Sequence, residues 1–123
     1  MPDKLVYTPY DHLTYKIIGC AMAVHRELGP GYREDTCQRD LAVRFTMDGL
    51  DHEPQKWLEV YDTTMGNTLI GYYIPDFIVA KTVIVEIKAL WGLDKSHEAQ
   101  VIGYLAVTGC PIGLLINFGE RSL

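Results

Sequence analysis

YIPDFIVAKTVIVEIKAL, residues 73–90, reads as two apolar β-rich runs that nevertheless carry Asp76, Glu86 and Lys88. A lone ionised group taken out of water costs on the order of several kcal/mol even after relaxation. Charges therefore persist in such runs only when they are paired, bound to a cation or facing a cleft. Side chains alternate along a strand, so Glu86 and Lys88 share a face. Whether Asp76 joins them depends on the parity of the connecting loop. Directly opposed residues of an antiparallel pair lie on one face, so an odd loop such as Ala80–Thr82, or a bulge, sets Asp76 opposite Glu86. A two-residue loop at Lys81 and Thr82 would set it opposite Ile87 instead. We expect the odd loop or bulge, because it gathers two carboxylates and an ammonium.

The flanking segments define the rest of the fold. WLEVY (57–61) alternates and precedes the turn-like TTMGNT, so it predicts a first strand; LIGYYIPDFIV (69–79) and TVIVEIKAL (82–90) are the second and third. Asp94 is placed to cap a helix reaching about Thr108, with Leu93, Val101, Tyr104 and Leu105 as its apolar positions, and PIGLLINF (111–118) is a final strand. Upstream, Leu13, Ile17, Ala21, Val24 and Leu28 follow helical spacing up to the GPG at 29–31. A second helix from about Tyr32 to Met47 buries Cys37, Leu41 and Phe45, with Glu34 along the same stripe. The order predicts an α/β fold: a mixed sheet with three antiparallel strands, a helical crossover to a final strand, and N-terminal helices packed on the sheet.

The chain of 123 residues has no repeats or linkers and is expected to form one domain over 1–123. Its 48% apolar and 22% charged residues are ordinary for a globular protein. No apolar run is long enough for a membrane span, and MPDKLVYTPYDHLTYK lacks the apolar core of a signal peptide, so a cytoplasmic location is expected. Cys20, Cys37 and Cys110 form no CxxC pair and read as small core residues. The formal charge of −5 matters for partners: four arginines between Arg26 and Arg44 are offset by Glu27, Glu34, Asp35 and Asp40, leaving no basic stripe.

Two adjacent carboxylates repel, and a divalent cation with hard oxygen ligands, Mg²⁺ or Mn²⁺, is the simplest remedy. Lys88 would then stand beside the metal, able to stabilise charge on a phosphate or to orient an attacking water. Glu34 could add a third carboxylate. The residues alone also allow a half-exposed Glu86–Lys88 ion pair with Asp76 in a turn, and an acid at residue 34 that complements a helix dipole. His25 and His97 read as ordinary helical histidines.

Pro75-Asp76, with Glu86-Ile87-Lys88 beginning ten positions after the aspartate, resembles the PD-(D/E)xK signature of the restriction-endonuclease-like nucleases. Gln100-Val-Ile-Gly-Tyr104 is similar to the QxxxY motif of RecB-type members. VHRELGPGYRE (24–34), PDFIV, VIVEIKA, HEAQVIGYL (97–105) and GLLINF (113–118) together resemble the GxxExxY proteins. The resemblance implies that Asp76, Glu86 and the Ile87 carbonyl bind the metal, that Lys88 is the catalytic lysine, that Glu34 is the helix acid, and that Gln100 and Tyr104 form the motif pair. A spacing of four puts that pair on one helix face. Cys37 departs from the pattern, which has a tyrosine at that position. Relatives usually continue beyond the last strand, so the sequence is expected to be C-terminally truncated.

The implied activity is metal-dependent hydrolysis of nucleic-acid phosphodiester bonds, with DNA the expected substrate, no membrane partner and a homodimer as the expected assembly. The rival reading is a nuclease fold that has lost its chemistry and serves as a binding or scaffold module, motivated by Cys37 and the acidic composition. A small-molecule enzyme ranks last, since no glycine-rich phosphate loop or nucleophile elbow is present.

Overall fold

The computed structural model describes residues 9–64 and 66–123. Residues 1–8, part of the stretch read for a signal peptide, and Met65 of the TTMGNT turn lie outside them. Helices α1 (Asp11–Leu28) and α2 (Glu34–Met47) are followed by strands β1 (His52–Pro54), β2 (Leu58–Asp62), β3 (Thr68–Tyr73), β4 (Phe77–Val79) and β5 (Val83–Lys88), then α3 (Lys95–Thr108) and β6 (Ile112–Asn117). Four strands form a mixed sheet in the order β1-β4-β5-β6, while β2 and β3 make a separate two-stranded sheet. In the larger sheet β1, β4 and β5 are antiparallel neighbours, and β6 lies parallel to β5 after the α3 crossover.

The expected α/β architecture is present, with one reassignment. The strand expected over 69–79 is two strands in two different sheets. Pro75, buried between them, has no N–H to continue a ladder, and the chain turns there. WLEVY therefore pairs with β3 in the hairpin, and His52–Pro54 supplies the third antiparallel strand. That strand ends in proline and occupies an edge, where a missing ladder donor is tolerated.

The alternation of β5 divides the core. Val83, Val85 and Ile87 point with Phe77 and Val79 toward the stripe Ile17, Ala21, Val24 of α1 and Cys37, Leu41, Phe45 of α2. Ile84 points the other way, with Ile78, to Val101 and Tyr104 of α3. A cluster of Phe45, His52 and Phe77, with centroids 5.1–5.7 Å apart, fastens the short β1 to α2. Asp94 caps α3 by accepting from the Ser96 N–H, and its own N–H donates to Nδ1 of His97, closing a capping box. Gly109 ends α3 in the left-handed conformation. At Gly113 a Cβ would stand 2.4 Å from Val101 Cγ1, so only glycine lets β6 pass this close under α3.

Candidate active site

The loop between β4 and β5 is the odd one: Val79 pairs with Val83, leaving Ala80, Lys81 and Thr82 unpaired. Thr82 N–H donates to the Val79 carbonyl at 2.9 Å across Ala80 and Lys81, both at positive φ (52° and 55°), as in the primed turns that suit strand twist. The register this turn fixes ends at Phe77 with Val85 and leads Asp76 to the side of Glu86. There the ladder changes character. Asp76 N–H donates to Glu86 Oε1 at 2.9 Å, and Ile87 N–H donates to Asp76 Oδ2 at 2.8 Å. Each carboxylate thus holds the main chain of the opposite segment, and the two acids are brought together.

Lys88, two residues on and on the same face, places Nζ 4.0 Å from Glu86 Oε2. Tyr104 reaches down from α3, its hydroxyl 3.4 Å from Glu86 Oε2 and 3.5 Å from the Ile74 carbonyl. Gln100, one turn earlier on α3 and exposed, lines the same small slot as Tyr104. Glu34, in the first turn of α2, lies across a polar cleft of about 360 Å³ that Gln38, Gln55 and Asp76 also line. Gln55 meets Asp76 through its N–H, which donates to the Asp76 carbonyl at 3.0 Å. Among the described residues no group of three or more His, Cys, Asp or Glu side chains is placed to hold one ion. Glu34 accordingly faces the Asp76–Glu86 pair without closing on it.

The electrostatics follow from this packing. Burial pushes the Glu86 carboxyl up to about 8, and the adjacent Asp76 pushes the same way, while Lys88 opposes. Glu34 is raised by partial desolvation and by Asp76, again opposed by Lys88. The Tyr104 hydroxyl is held well above its ordinary value by burial and by Glu86. A buried acid that needs more positive charge than one lysine provides, beside a second acid, is a donor set of hard oxygens that suits a small divalent ion with water completing its shell. Asp76, Glu86 and the Ile87 carbonyl are the groups that would hold it.

Several residues at the site escaped the sequence reading. Asn117, 5% exposed on β6, accepts from the N–H groups of Leu90 and Gly119 and donates to the Leu90 carbonyl and to Glu120 Oε2. With Phe118 N–H on the Lys88 carbonyl at 2.8 Å, it pins the chain as it leaves Lys88. A polar side chain in an apolar strand was the signal, the same one that marks Glu86. Tyr73 packs its ring against Tyr104 at 5.5 Å. Cys37, at the position where the resemblance has tyrosine, is 1% exposed in the α1–α2 core.

An aspartate immediately before β4 and a Glu-x-Lys on the adjoining antiparallel β5, backed by a helical crossover, make an α/β core consistent with a restriction-endonuclease-like fold. The family model described as the PD-(D/E)XK nuclease superfamily matches residues 11–123. The chain belongs to that superfamily, whose nucleases generally use divalent metal ions. Comparison with curated proteins and with solved structures gives no match.

Proposed function

We propose that the chain is a metal-dependent nuclease that hydrolyses phosphodiester bonds of nucleic acid, with DNA as substrate and Mg²⁺ or Mn²⁺ as cofactor. The observation that carries the reading is the reciprocal lock between Asp76 and Glu86 with Lys88 beside it. The lock fixes two acids in one place although each raises the cost of the other, an arrangement expected where a cation is to be received. When bound, the metal would supply Lewis-acid polarisation of a phosphate oxygen and a more acidic water. Asp76, Glu86 and the Ile87 carbonyl would hold it, with Glu34 across the cleft as a further carboxylate. Lys88 offers its ammonium to the phosphate or to the attacking water. Tyr104 positions Glu86, and Gln100 stands one turn before it on the same helix face, open to the substrate. The five motifs also lead us to place the chain with the GxxExxY proteins.

The test is cleavage of labelled single-stranded, duplex and branched DNA, and of RNA, in Mg²⁺ or Mn²⁺. Asp76→Asn keeps an oxygen for the Ile87 N–H but removes the charge; Lys88→Ala removes the ammonium. Each should lower the rate by about 100-fold or more, the scale of losing one charge-stabilising group. Cleavage that survives both substitutions sinks the reading.

One observation favours a second reading, a scaffold or binding module without chemistry. The buried Cys37 leaves no hydroxyl where the resemblance places one. Titration calorimetry separates the two: an active site takes up Mn²⁺ and loses it in Asp76→Asn, whereas a degenerate site gives no metal heat.

A further inference from the structure

Beside the acidic pair, α3 and the β2–β3 hairpin enclose a small slot of about 170 Å³ lined by Tyr73, Ala99, Gln100, Gly103 and Tyr104. One wall is the Tyr73 ring, 40% exposed. Residue 103, where the ring meets the helix, is glycine: a Cβ there would make a tight contact, 3.3 Å from Tyr73 Cε2. The other walls are the ring of Tyr104, whose hydroxyl reaches Glu86, and the exposed Gln100 side chain.

We infer that this slot receives an unpaired nucleobase of the substrate, stacked on Tyr73 and met at its edge by the Gln100 amide, so that the protein acts on single-stranded or frayed nucleic acid. The inference rests on the nuclease reading above and names its substrate class. Three observations support it. First, the slot offers aromatic surface together with one side chain that both donates and accepts, which matches a base edge and face. A duplex keeps its bases stacked inside and cannot fill it. Second, the chain carries a net charge of −5, so phosphate neutralisation contributes little and base stacking must supply much of the affinity. Third, the hairpin that carries Tyr73 shows further aromatic surface on its other face, where Trp57 (65% exposed) and Tyr72 lie edge to face at 5.3 Å.

The experiment measures fluorescence anisotropy of labelled oligothymidylate, as DNA and as RNA, in EDTA so that no strand is cut. The same strands carrying abasic residues, and a blunt duplex, serve as comparisons. Base-bearing single strands should bind about 5- to 150-fold more tightly than abasic strands, the range of one stacked base, and with a shallow salt dependence. Tyr73→Leu should erase that preference, and Tyr73→Phe, which keeps the ring, should retain it. Equal binding of base-bearing and abasic strands, tighter binding of duplex, or no binding of any strand overturns the inference. So does self-association of the protein that Tyr73→Leu abolishes, which would make the slot a protein contact. Cleavage in Mn²⁺ is scored separately. Cleavage without base preference leaves the nuclease reading standing and removes this one; base preference without cleavage does the reverse.

Discussion

The chain builds two antiparallel β pairs in succession and treats them in opposite ways. In β2–β3 and the residue before it the side chains at Trp57, Ile70, Tyr72 and Tyr73 remain open to solvent, although a two-stranded sheet gains little without a packed face. In β4–β5 every residue from Phe77 to Val79 and from Val83 to Ile87 is buried, and one of them is Glu86. Apolar groups lie outside in the first pair and a carboxylate lies inside in the second. Each departs from what burial alone would select, and the two departures meet where Pro75 joins the pairs. The difference suggests a division of labour: a rigid sheet holds the acids at fixed spacing, and a hairpin with surplus aromatic surface stands over them.

The comparison is sharpened most by mutations that weigh the two pairs against each other. Ile84→Ala, which opens a hole beneath Tyr104, should cost about 2–5 kcal/mol in urea unfolding. Ile70→Ser on the hairpin should change stability by about 0.5 kcal/mol or less. Comparable losses at the two positions would mean that the hairpin face is covered in solution.

The buried acid gives the next largest effect. Glu86 has a raised folded-state pKa, so its contribution to stability is complete below the ordinary carboxylate value of 4.5 and disappears as pH rises toward about 8. Metal-free protein should therefore lose on the order of 2–4 kcal/mol across that window, read as a falling Tm at constant ionic strength. Glu86→Gln should flatten the profile, and added Mg²⁺ or Mn²⁺ should restore stability at the alkaline end. A wild-type profile already flat in EDTA would show that Lys88 alone balances the pair.

A smaller effect than that of the buried acid concerns the turn. Ala80 and Lys81 both sit at positive φ, which suits asparagine and glycine better. Replacing them with Asn-Gly should add about 0.5–1 kcal/mol and leave cleavage unchanged, because the register of Asp76 and Glu86 is kept. Lost activity with gained stability would show that the strain itself serves the site.

Much of this was legible in the chain, for reasons that can be stated. Glu86, Lys88 and Asp76 stood out because charge in an apolar run demands a partner, and parity turned that demand into a loop length. The stripes of α1 and α2 and the Asp94 cap followed from periodicity. What stayed hidden was short or non-local. His52–Pro54 is too brief to show alternation, and it is a strand through its pairing with β4, with His52 packed on Phe45 and Phe77. The break at Pro75 was signalled by the proline but masked by continuous apolar residues on both sides. Tyr73 looked like one more strand aromatic, since the ring it packs on, Tyr104, lies thirty-one positions away on α3.

The exchange of main-chain contacts between Asp76 and Glu86 has a practical consequence. The amide protons of Asp76 and Ile87 each end on a carboxylate rather than on a ladder carbonyl, so both are native reporters of that carboxylate's state. In an NMR titration these two resonances should move in concert as divalent ions are added. Occupancy of the site can thus be followed with no substrate present.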